Sequence, residues 1–390
     1  MKTIQPAERI SHVEEYYFSR KLKQVAKMNQ DGGVPVINLG VGGPDFRPSD
    51  STLDALIADV RRSDAHSYQT FAGLPELRKG WADFYKQWYG VDLDPATELL
   101  PLIGSKEGIM HVTMAFVNPG DKVLVPDPGY PTYSSVNKLC GADMIKYDLT
   151  YENNWEPDFD ALDNMPGIDE VKVMWVNYPH MPTGHKASRE LLKKIVDFGH
   201  RHQIVIVNDN PYSFILNDNP LSILQIEGAK DICIEFNSMS KTHSMAGWRQ
   251  GICCAKKEFI QWITRVKSNV DSGMFRPVMK AAVAALNNPK EFFVEQNKAY
   301  RERRIAAEEI MKHLGCEFDI EQSGLFLWGR IPEHYETCET LTEPILQNAR
   351  VFITPGFIFG KNGERFIRIS LCAPVEKMQE ALSRIKSAGL

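Results

Sequence analysis

Strand-like and helix-like stretches alternate through the middle of this chain, and this pattern limits its fold more than any other feature of the sequence. Short apolar runs occur at 122–127 (KVLVPD), 171–179 (VKVMWVNYP), 203–209 (QIVIVND) and 231–237 (DICIEFN), with helix-like segments such as SRELLKKIVDFGHRH between them. Such alternation is typical of crossover units, in which parallel strands form a sheet that is buried on both faces. The sequence therefore predicts an α/β fold whose large domain has three layers around a mostly parallel sheet.

The pattern changes towards the end of the chain. A charged stretch with helical periodicity, at about 289–314, leads to the short strands GLFLWGR and RFIRISL and to a closing helix. This order is typical of an α+β unit, and an N-terminal helix at about 12–31 is expected to join it. We predict a large α/β domain at 50–285 and a discontinuous small α+β domain made of 1–49 and 286–390.

Composition and charge argue against several classes of function. The 390 residues contain no apolar run long enough to span a bilayer, and the N-terminal segment lacks the apolar core of a signal peptide. A net charge of −5 argues against a general nucleic-acid surface. The seven cysteines lack the C-x-x-C spacing of a metal or redox site. We expect a cytoplasmic protein with free thiols, and we expect no membrane, nucleic-acid or metal partner.

A dinucleotide-binding fold is the alternative interpretation of such a sheet. The stretch GVGGPDF begins like its glycine-rich loop, but Asp45 stands where the third glycine is needed, and the chain has no G-K-[ST] motif. The sequence therefore does not favour a dinucleotide site.

A lysine follows the apolar run ICIEF in the stretch FNSMSKTHSMAGWRQG (236–251). That position places Lys241 at the edge of the sheet, where open α/β folds bind ligands. Its amine can form an imine with an aldehyde if burial or a cationic neighbour lowers its pKa from about 10.4. Arg249 and Lys106 are candidate neighbours. The alternative is a solvated surface charge.

The stretch LIGSKEGIMHVTMAF (102–116) has the pattern of a strand, a glycine turn and a helix. Ser105 and Lys106 would then lie at a helix N-terminus, which is a favourable seat for a phosphate group. An ordinary helix that Ser105 caps explains the same pattern.

Four further residues have functional and structural interpretations side by side. Asp209 ends an apolar strand and could hold a protonated pyridine nitrogen, with Tyr212 donating to a ring oxygen, or Asp209 and Asn210 could simply start a turn before Pro211. Tyr130, in PDPGYPTY, offers a flat face for an aromatic ring or ordinary packing. Arg368, in FIRISL, could bind a carboxylate or face solvent.

Together these stretches resemble the class I/II pyridoxal-phosphate-dependent aminotransferases of fold type I. SMSKTHSMAGWRQG is similar to their lysine signature, and the other motifs follow in the family's order along nearly the whole chain: INLGVGGPDF, SYQTFAGLPELRKG, GSKEG, DPGYP, PTG, DNPY, KSNVDSGMF and FIRISL. Within the family the chain looks most like aspartate and LL-diaminopimelate aminotransferases, and SNVDSGMF is closer to the latter.

The resemblance implies pyridoxal 5′-phosphate as the cofactor and gives roles to the matching residues. Lys241 would bind the cofactor covalently and then act as general acid and base. Asp209 would keep the pyridine nitrogen protonated, Tyr212 would donate to the ring oxygen O3′, and Tyr130 would stack on the ring.

The resemblance also implies how the phosphate and the substrate are held. The phosphate would be surrounded by Ser105, Lys106, Ser238 and Arg249. Tyr68 would reach the phosphate from the other subunit, which requires a homodimer with a shared active site. Arg368 would bind the substrate α-carboxylate, with help from the backbone of Gly40.

One position departs from the family pattern. The family usually has asparagine directly before the PTG proline, but NYPHMPTG has Met181 there, which cannot donate a comparable hydrogen bond. We predict a more basic cofactor phenolate and imine unless His180 or a water replaces the donor. The altered ring electronics could also favour a side reaction.

The expected function is amino-group transfer between an L-amino acid and a 2-oxo acid, with glutamate and 2-oxoglutarate as one pair and aspartate, LL-diaminopimelate or a similar amino acid as the other substrate. The alternatives are a pyridoxal-phosphate lyase or decarboxylase on the same scaffold and a non-catalytic pyridoxal-phosphate-binding regulator. Lys267, Arg276 and Arg47 are candidates for binding a distal carboxylate, and no motif selects among them, so aspartate, an aromatic amino acid and diaminopimelate stay open.

Overall fold

The computed structural model describes residues 3–390. The α-helices of this part of the chain are α1 (Tyr17–Gln30), α2 (Asp50–Val60), α3 (Pro75–Tyr89), α4 (Ser105–Phe116), α5 (Pro131–Cys140), α6 (Phe159–Asp163), α7 (Arg189–His202), α8 (Ala229–Ile232), α9 (Met239–Thr242), α10 (Lys257–Lys267), α11 (Arg276–Leu286), α12 (Lys290–His313), α13 (Cys338–Pro344) and α14 (Val375–Ser387). The strands are β1 (Ile37–Asn38), β2 (Leu99–Leu102), β3 (Lys122–Asp127), β4 (Asp143–Asp148), β5 (Val171–Val176), β6 (Val205–Asp209), β7 (Cys233–Ser238), β8 (Gly251–Cys254), β9 (Phe326–Arg330), β10 (Val351–Phe352), β11 (Thr354–Pro355) and β12 (Phe366–Ser370).

A seven-stranded sheet with the order β2-β8-β7-β6-β5-β3-β4 forms the centre of the molecule. The pairs from β7 to β4 are parallel, whereas β8 is antiparallel to both of its neighbours. The predicted α/β class and the mostly parallel sheet are therefore confirmed. The antiparallel β8, with the sequence GICC, was not among the predicted strands.

Helices cover both faces of this sheet because alternate residues of each strand point to opposite sides. On β3, Val123 and Val125 belong to a core shared with α4, α5 and α10, whereas Leu124 belongs to the core shared with α3 and α7. This arrangement gives the predicted three layers. It also leaves the carboxyl ends of the parallel strands free to carry a site.

Two smaller sheets lie outside the large one. β1 pairs in parallel with β10, and β12 lies between β11 and β9 in antiparallel order. The predicted late strands correspond to β9 and β12, and the predicted helices to α1, α12 and α14. The division of the chain at 50 and 285 stays a prediction.

The carboxylate of Asp127, at the end of β3, connects the large sheet to the C-terminal segment. It accepts hydrogen bonds from the Lys146 ammonium at 2.7 Å, from the Lys361 amide at 3.1 Å and from the Asn362 amide at 3.0 Å. Gly360 has a φ of +143°, and a Cβ atom there would lie 2.0 Å from Asp127 Oδ1. Only glycine lets the segment approach this closely.

The seven cysteines are free thiols. In residues 3–390, we find no helix with the length and apolar character that crossing a bilayer requires.

Candidate active site

A cavity of about 810 Å³ lies at the carboxyl ends of the parallel strands. Lys241 follows β7, Asp209 ends β6, Asn177 follows β5, and Ser105 follows β2 after a glycine turn. All of the predicted site residues except Gly40 and Tyr68 line this cavity: Lys241, Asp209, Tyr212, Ser105, Lys106, Tyr130, Ser238, Arg249 and Arg368. The fold thus brings together residues that are as much as 263 positions apart, from Ser105 to Arg368.

Lys241 projects into the cavity from the short helix α9. The hydroxyl of Ser238 accepts a hydrogen bond from the Ser240 amide at 3.2 Å and so caps this helix. Withdrawal from water lowers the pKa of the Lys241 amine, and the positive charges of Arg368 and Arg249 lower it further. The result favours the neutral amine, which is the form that attacks an aldehyde.

Asp209 has one oxygen with a partner and one without. Its Oδ2 accepts a hydrogen bond from the Tyr133 hydroxyl at 3.0 Å, whereas its buried Oδ1 has no partner. Burial raises the pKa of this carboxyl to about 7, the hydrogen bond from Tyr133 opposes the rise, and the charge of Glu235 adds to it. A buried oxygen of this kind fits a protonated pyridine nitrogen, because such a cation would satisfy both its charge and its hydrogen-bonding capacity.

The turn before α4 forms a cradle for an anion. Gly104 has a φ of +75°, and a Cβ atom there would lie 2.0 Å from Arg249 Nη2, so the close approach of the guanidinium requires glycine. Ser105 begins α4, and Lys106 lies beside it; burial lowers the pKa of Lys106, and Arg249 lowers it further. A helix N-terminus between two cations fits a phosphate group.

Arg249 is itself held in place at the cradle. Its Nη1 donates to the Ala246 carbonyl at 2.7 Å and to the Ser240 hydroxyl at 3.3 Å. Its backbone φ of +56° is unusual for a residue with a side chain.

The tyrosines of the cavity remain hydrogen-bond donors at neutral pH. Burial raises the pKa of the Tyr212 and Tyr130 hydroxyls above their ordinary value of 10. The Tyr130 ring lies at a right angle to Tyr133, with 5.5 Å between the ring centroids. Both tyrosines therefore offer a neutral hydroxyl and an aromatic surface to a ligand.

Arg368 lies on β12, the middle strand of the three-stranded sheet, and lines the cavity. Its Nη2 donates to the Gly40 carbonyl at 3.0 Å, and its Nη1 lies 3.2 Å from Met181 Sδ. The guanidinium carbon stands 3.7 Å from the ring centre of Phe326 and 4.5 Å from that of Phe359. Burial lowers the pKa of Arg368 to about 10, and its buried Nε has no partner. It remains a cation at pH 7 with a donor available for a carboxylate.

Gly40 and Tyr68 lie outside the cavity lining. The Gly40 amide donates to Asn38 Oδ1 at 3.0 Å, and its carbonyl accepts from Arg368. The structure thus uses the backbone of Gly40 to position Arg368, and its amide is already engaged instead of being free for a substrate. Tyr68 is 91% exposed on the surface of the chain.

Met181 lies in the cavity at the position of the missing asparagine. His180 does not line the cavity; its Nδ1 pairs with the Thr183 hydroxyl at 2.8 Å, and burial lowers its pKa to about 3. His180 therefore does not replace the hydrogen bond that the family's asparagine donates to the ring oxygen. The prediction of a more basic cofactor phenolate and imine stays a prediction.

Sequence reasoning missed several cavity residues. Tyr133 and Asn177 support Asp209, the first through its carboxylate and the second through a hydrogen bond to its backbone carbonyl. Both residues lie in motifs that were singled out for a different residue. Their positions after a strand are the sequence signal that could have identified them. Tyr16 and the residues of α1 that line the cavity carry no local motif, because only the tertiary fold places them there.

The three basic residues considered for a distal carboxylate do not line the cavity. Lys267 is completely buried and donates to Glu107 at 2.9 Å and to Asp271 at 2.5 Å. These carboxylates and a neighbouring histidine have metal-binding atoms close together, but the Lys267 ammonium already pairs with both acids. Arg276 pairs with an aspartate of α2, and Arg47 is exposed.

A family model described as "Aminotransferase class I and II" matches residues 34–385. The chain belongs to this family. It is 39% identical to a protein named LL-diaminopimelate aminotransferase from Moorella thermoacetica, with 98% of each chain covered. It is 40% identical to a protein of the same name from Aquifex aeolicus, with 98% of this chain and 99% of that protein covered.

A solved structure has the same fold over nearly the whole chain. The substrate-bound structure of BacF from Bacillus subtilis matches with a TM-score of 0.93 and 34% identity, and the match covers 99% of this chain and 98% of that one. The family membership confirms the predicted enzyme class: this chain is an aminotransferase that uses pyridoxal 5′-phosphate. The unpartnered Asp209 oxygen and the anion cradle fit that cofactor.

Proposed function

We propose that transamination takes place in the cavity around Lys241, with the residue roles that the family resemblance implies. The observation that carries this proposal is the unpartnered Oδ1 of Asp209, which lies in the same cavity as a lysine of lowered pKa and an arginine with a free donor. When bound, pyridoxal 5′-phosphate supplies an aldehyde and a ring that accepts electrons from the substrate α-carbon.

The chain's own residues hold that ring and keep it reactive. Asp209 stabilises positive charge on the ring nitrogen, because a buried carboxylate without another cation gains most from that contact. Tyr212 would donate to the ring oxygen, and Tyr130 would stack on the ring. The phosphate is held at the N-terminus of α4 by the hydroxyls and cations that surround it: Ser105, Lys106, Ser238 and Arg249.

Lys241 and Arg368 act on the substrate. Arg368 binds the α-carboxylate with two parallel hydrogen bonds, and the Gly40 carbonyl and the ring of Phe326 fix its guanidinium. The amine of Lys241 would hold the cofactor through its aldehyde and would move the proton of the substrate α-carbon. Its lowered pKa suits this role because an amine that gives up its proton more readily can act as a base more readily.

We propose a homodimer in which Tyr68 of each subunit reaches the phosphate site of the other. The exposure of Tyr68 supports this proposal, as does the groove between α4 and α10, where Met114, Trp262 and Val270 are exposed. Apolar side chains grouped on a surface mark sites of association. Sedimentation velocity tests the assembly, and Tyr68→Phe should weaken cofactor binding without dissociating the dimer.

The substrates are an L-amino acid and a 2-oxo acid, with glutamate and 2-oxoglutarate as one pair. The two relatives named LL-diaminopimelate aminotransferase support diaminopimelate as a candidate, and aspartate stays a second candidate. We place the enzyme in the cytoplasm, where its free thiols would stay reduced.

A half-reaction screen tests the function. The cofactor-loaded protein is mixed with each amino acid, and loss of its visible absorbance is followed together with release of the 2-oxo acid. We expect conversion by the parent and by a surface control, Lys290→Ala, and none by Lys241→Ala. Equal turnover by Lys241→Ala would contradict the proposal. Release of ammonia with pyruvate would indicate a lyase instead, and no conversion of any amino acid would favour a regulator.

A further inference from the structure

We infer that the ion pair between Asp45 and Arg303 positions Arg368 for the substrate α-carboxylate, because it anchors the segment 39–45 against which Arg368 rests. Neither member of the pair lines the cavity, so both are positioning residues that act through another side chain. The inference rests on the proposed function and deepens it, since it concerns how the carboxylate site is held in shape.

The two side chains of the pair meet in a fixed geometry. Arg303, on α12, donates from Nη1 to Asp45 Oδ1 at 2.6 Å and from Nη2 to Asp45 Oδ2 at 2.8 Å. Its guanidinium carbon also stands 4.3 Å from the ring centre of Phe46. The side chain of Arg303 is 8% exposed and that of Asp45 is 35% exposed. Two parallel hydrogen bonds that are partly withdrawn from water fix orientation as well as distance.

The segment that Asp45 ends contacts both side chains that act on the substrate. The Gly40 carbonyl accepts a hydrogen bond from Arg368 Nη2 at 3.0 Å. Two residues later, the Gly42 carbonyl accepts one from Lys241 Nζ at 2.5 Å. A shift of this short segment would therefore move the acceptor that orients Arg368.

Arg303 also reaches the strand that carries Arg368. Its Nη1 donates to the Leu371 carbonyl at 3.1 Å, and Leu371 follows the end of β12, three residues after Arg368. Beside it, the Ser370 amide donates to the Leu39 carbonyl at 2.7 Å. One guanidinium thus holds together the segment with the acceptor and the strand with the donor.

This arrangement orients Arg368 before a substrate arrives. An arginine side chain has several rotatable bonds, and binding a carboxylate costs less free energy when their freedom is already restricted. The Gly40 carbonyl provides that restriction only while its segment stays in place. Breaking the ion pair should therefore weaken carboxylate binding without removing any group that contacts the substrate.

Calorimetry with glutarate tests this effect on the cofactor-loaded enzyme, because glutarate has the carbon skeleton of glutamate and no amine that can react. We expect Asp45→Asn and Arg303→Lys each to raise its Kd about tenfold, since lysine keeps the charge but cannot form the paired hydrogen bonds. Asp218→Asn is the matched control, because it breaks an exposed ion pair with Arg301 of the same helix, and its Kd should equal the parent's. Values of Kd within about twofold of the parent's in both test variants would overturn the inference.

A double-mutant cycle shows whether the pair acts through Arg368. Asp45→Asn should raise the Kd about tenfold in the parent but no more than about twofold in the Arg368→Lys background, where there is no guanidinium left to orient. The same tenfold loss in both backgrounds would mean that Asp45 acts elsewhere and would overturn the inference. Failure of the parent to bind glutarate would contradict the carboxylate role of Arg368, and the inference would fail with it.

Cofactor affinity distinguishes positioning from a general loss of stability. The phosphate cradle lies at the N-terminus of α4 and makes no use of the ion pair, so titration of the visible absorbance should give the same cofactor Kd for Asp45→Asn and the parent. Parallel losses of cofactor and glutarate affinity would indicate a structural defect of the whole chain and would contradict the inference.

Hydrogen exchange tests the anchoring itself and needs no substrate. The amides of Gly40 and Val41 donate to the Asn38 side chain at 3.0 and 3.1 Å, so they report on the order of this segment. In the cofactor-loaded protein, Asp45→Asn should speed their exchange and leave that of α4 unchanged. Unchanged exchange at both amides would overturn the inference and leave the transaminase function intact, whereas loss of turnover in the parent would contradict the function and leave this measurement valid.

Discussion

The buried carboxyl of Asp209 predicts a specific pH dependence of stability once the cofactor is removed. Its pKa rises from 3.8 to about 7 because of burial. A raised pKa means that the folded chain binds this proton more tightly than the unfolded chain does. The group therefore stabilises the fold at low pH, and this contribution is lost as the pH rises from about 4 through 7.

The magnitude follows from the two pKa values. Moving from pH 5 to pH 8 costs the cofactor-free protein about 2–3 kcal/mol through this group alone, because the unfolded carboxyl is already ionised at pH 5 while the folded one ionises near 7. Asp209→Asn removes the titration and keeps the shape of the side chain. The parent should therefore lose stability relative to the variant by this amount between the two pH values.

Urea unfolding of the two cofactor-free proteins at equal protein concentration measures this difference directly, because groups that both proteins share cancel. In the cofactor-loaded parent the pH dependence should shrink, since a positive ring nitrogen stabilises the ionised carboxylate. A parent-minus-variant difference that stays constant between pH 5 and pH 8 would refute the argument that Asp209 is buried without a cation.

Three further predictions concern residues around the site. The parent's cofactor imine should have a higher pKa than that of Met181→Asn, which restores a donor, and titration of the visible absorbance checks this; a parent value no higher than the variant's would count against it. Arg368→Lys should lower kcat/KM about 10–100-fold, because one charge-assisted hydrogen bond is worth about 1.5–3 kcal/mol; an unchanged kcat/KM in the half-reaction would contradict the carboxylate role. Lys267→Met should destabilise the fold by about 3–5 kcal/mol in urea, since it leaves Glu107 and Asp271 without their buried cation; Lys290→Met is the exposed control, and equal losses in the two variants would exclude a special role of the buried pair.

Most of the fold could be predicted because its signals are local. The parallel strands β3, β5, β6 and β7 are short apolar runs with helical segments between them, and their shortness and β-branched composition indicate strands. The antiparallel β8 was missed because GICC is only four residues long and its direction is set by pairing with β7 and β2.

The site could be predicted as far as its motifs extend. Asp209 ends a strand, and Lys241 and Ser105 follow one, so the adjacent residues in the sequence indicate where these side chains lie. The contributions of Phe18 and Leu22 could not be predicted, because nothing near α1 in the sequence indicates which surface the helix covers. Likewise, the Gly40 contact with Arg368 joins residues 328 positions apart, and only the paired small sheets bring them together.

The hydrogen bonds around Asp127 have a consequence for how this enzyme could evolve. They hold the segment after Phe359 against the central sheet, so the part of the cavity wall that Phe359 forms has a fixed shape. Of the α1 residues that line the cavity, Phe18 is buried in the core, whereas Leu22 and Ala26 are exposed, so most replacements at the two exposed positions should leave folding intact. We expect the amino-acid specificity of this protein to have changed during evolution mainly through substitutions in α1, whereas the residues that bind the cofactor stayed the same.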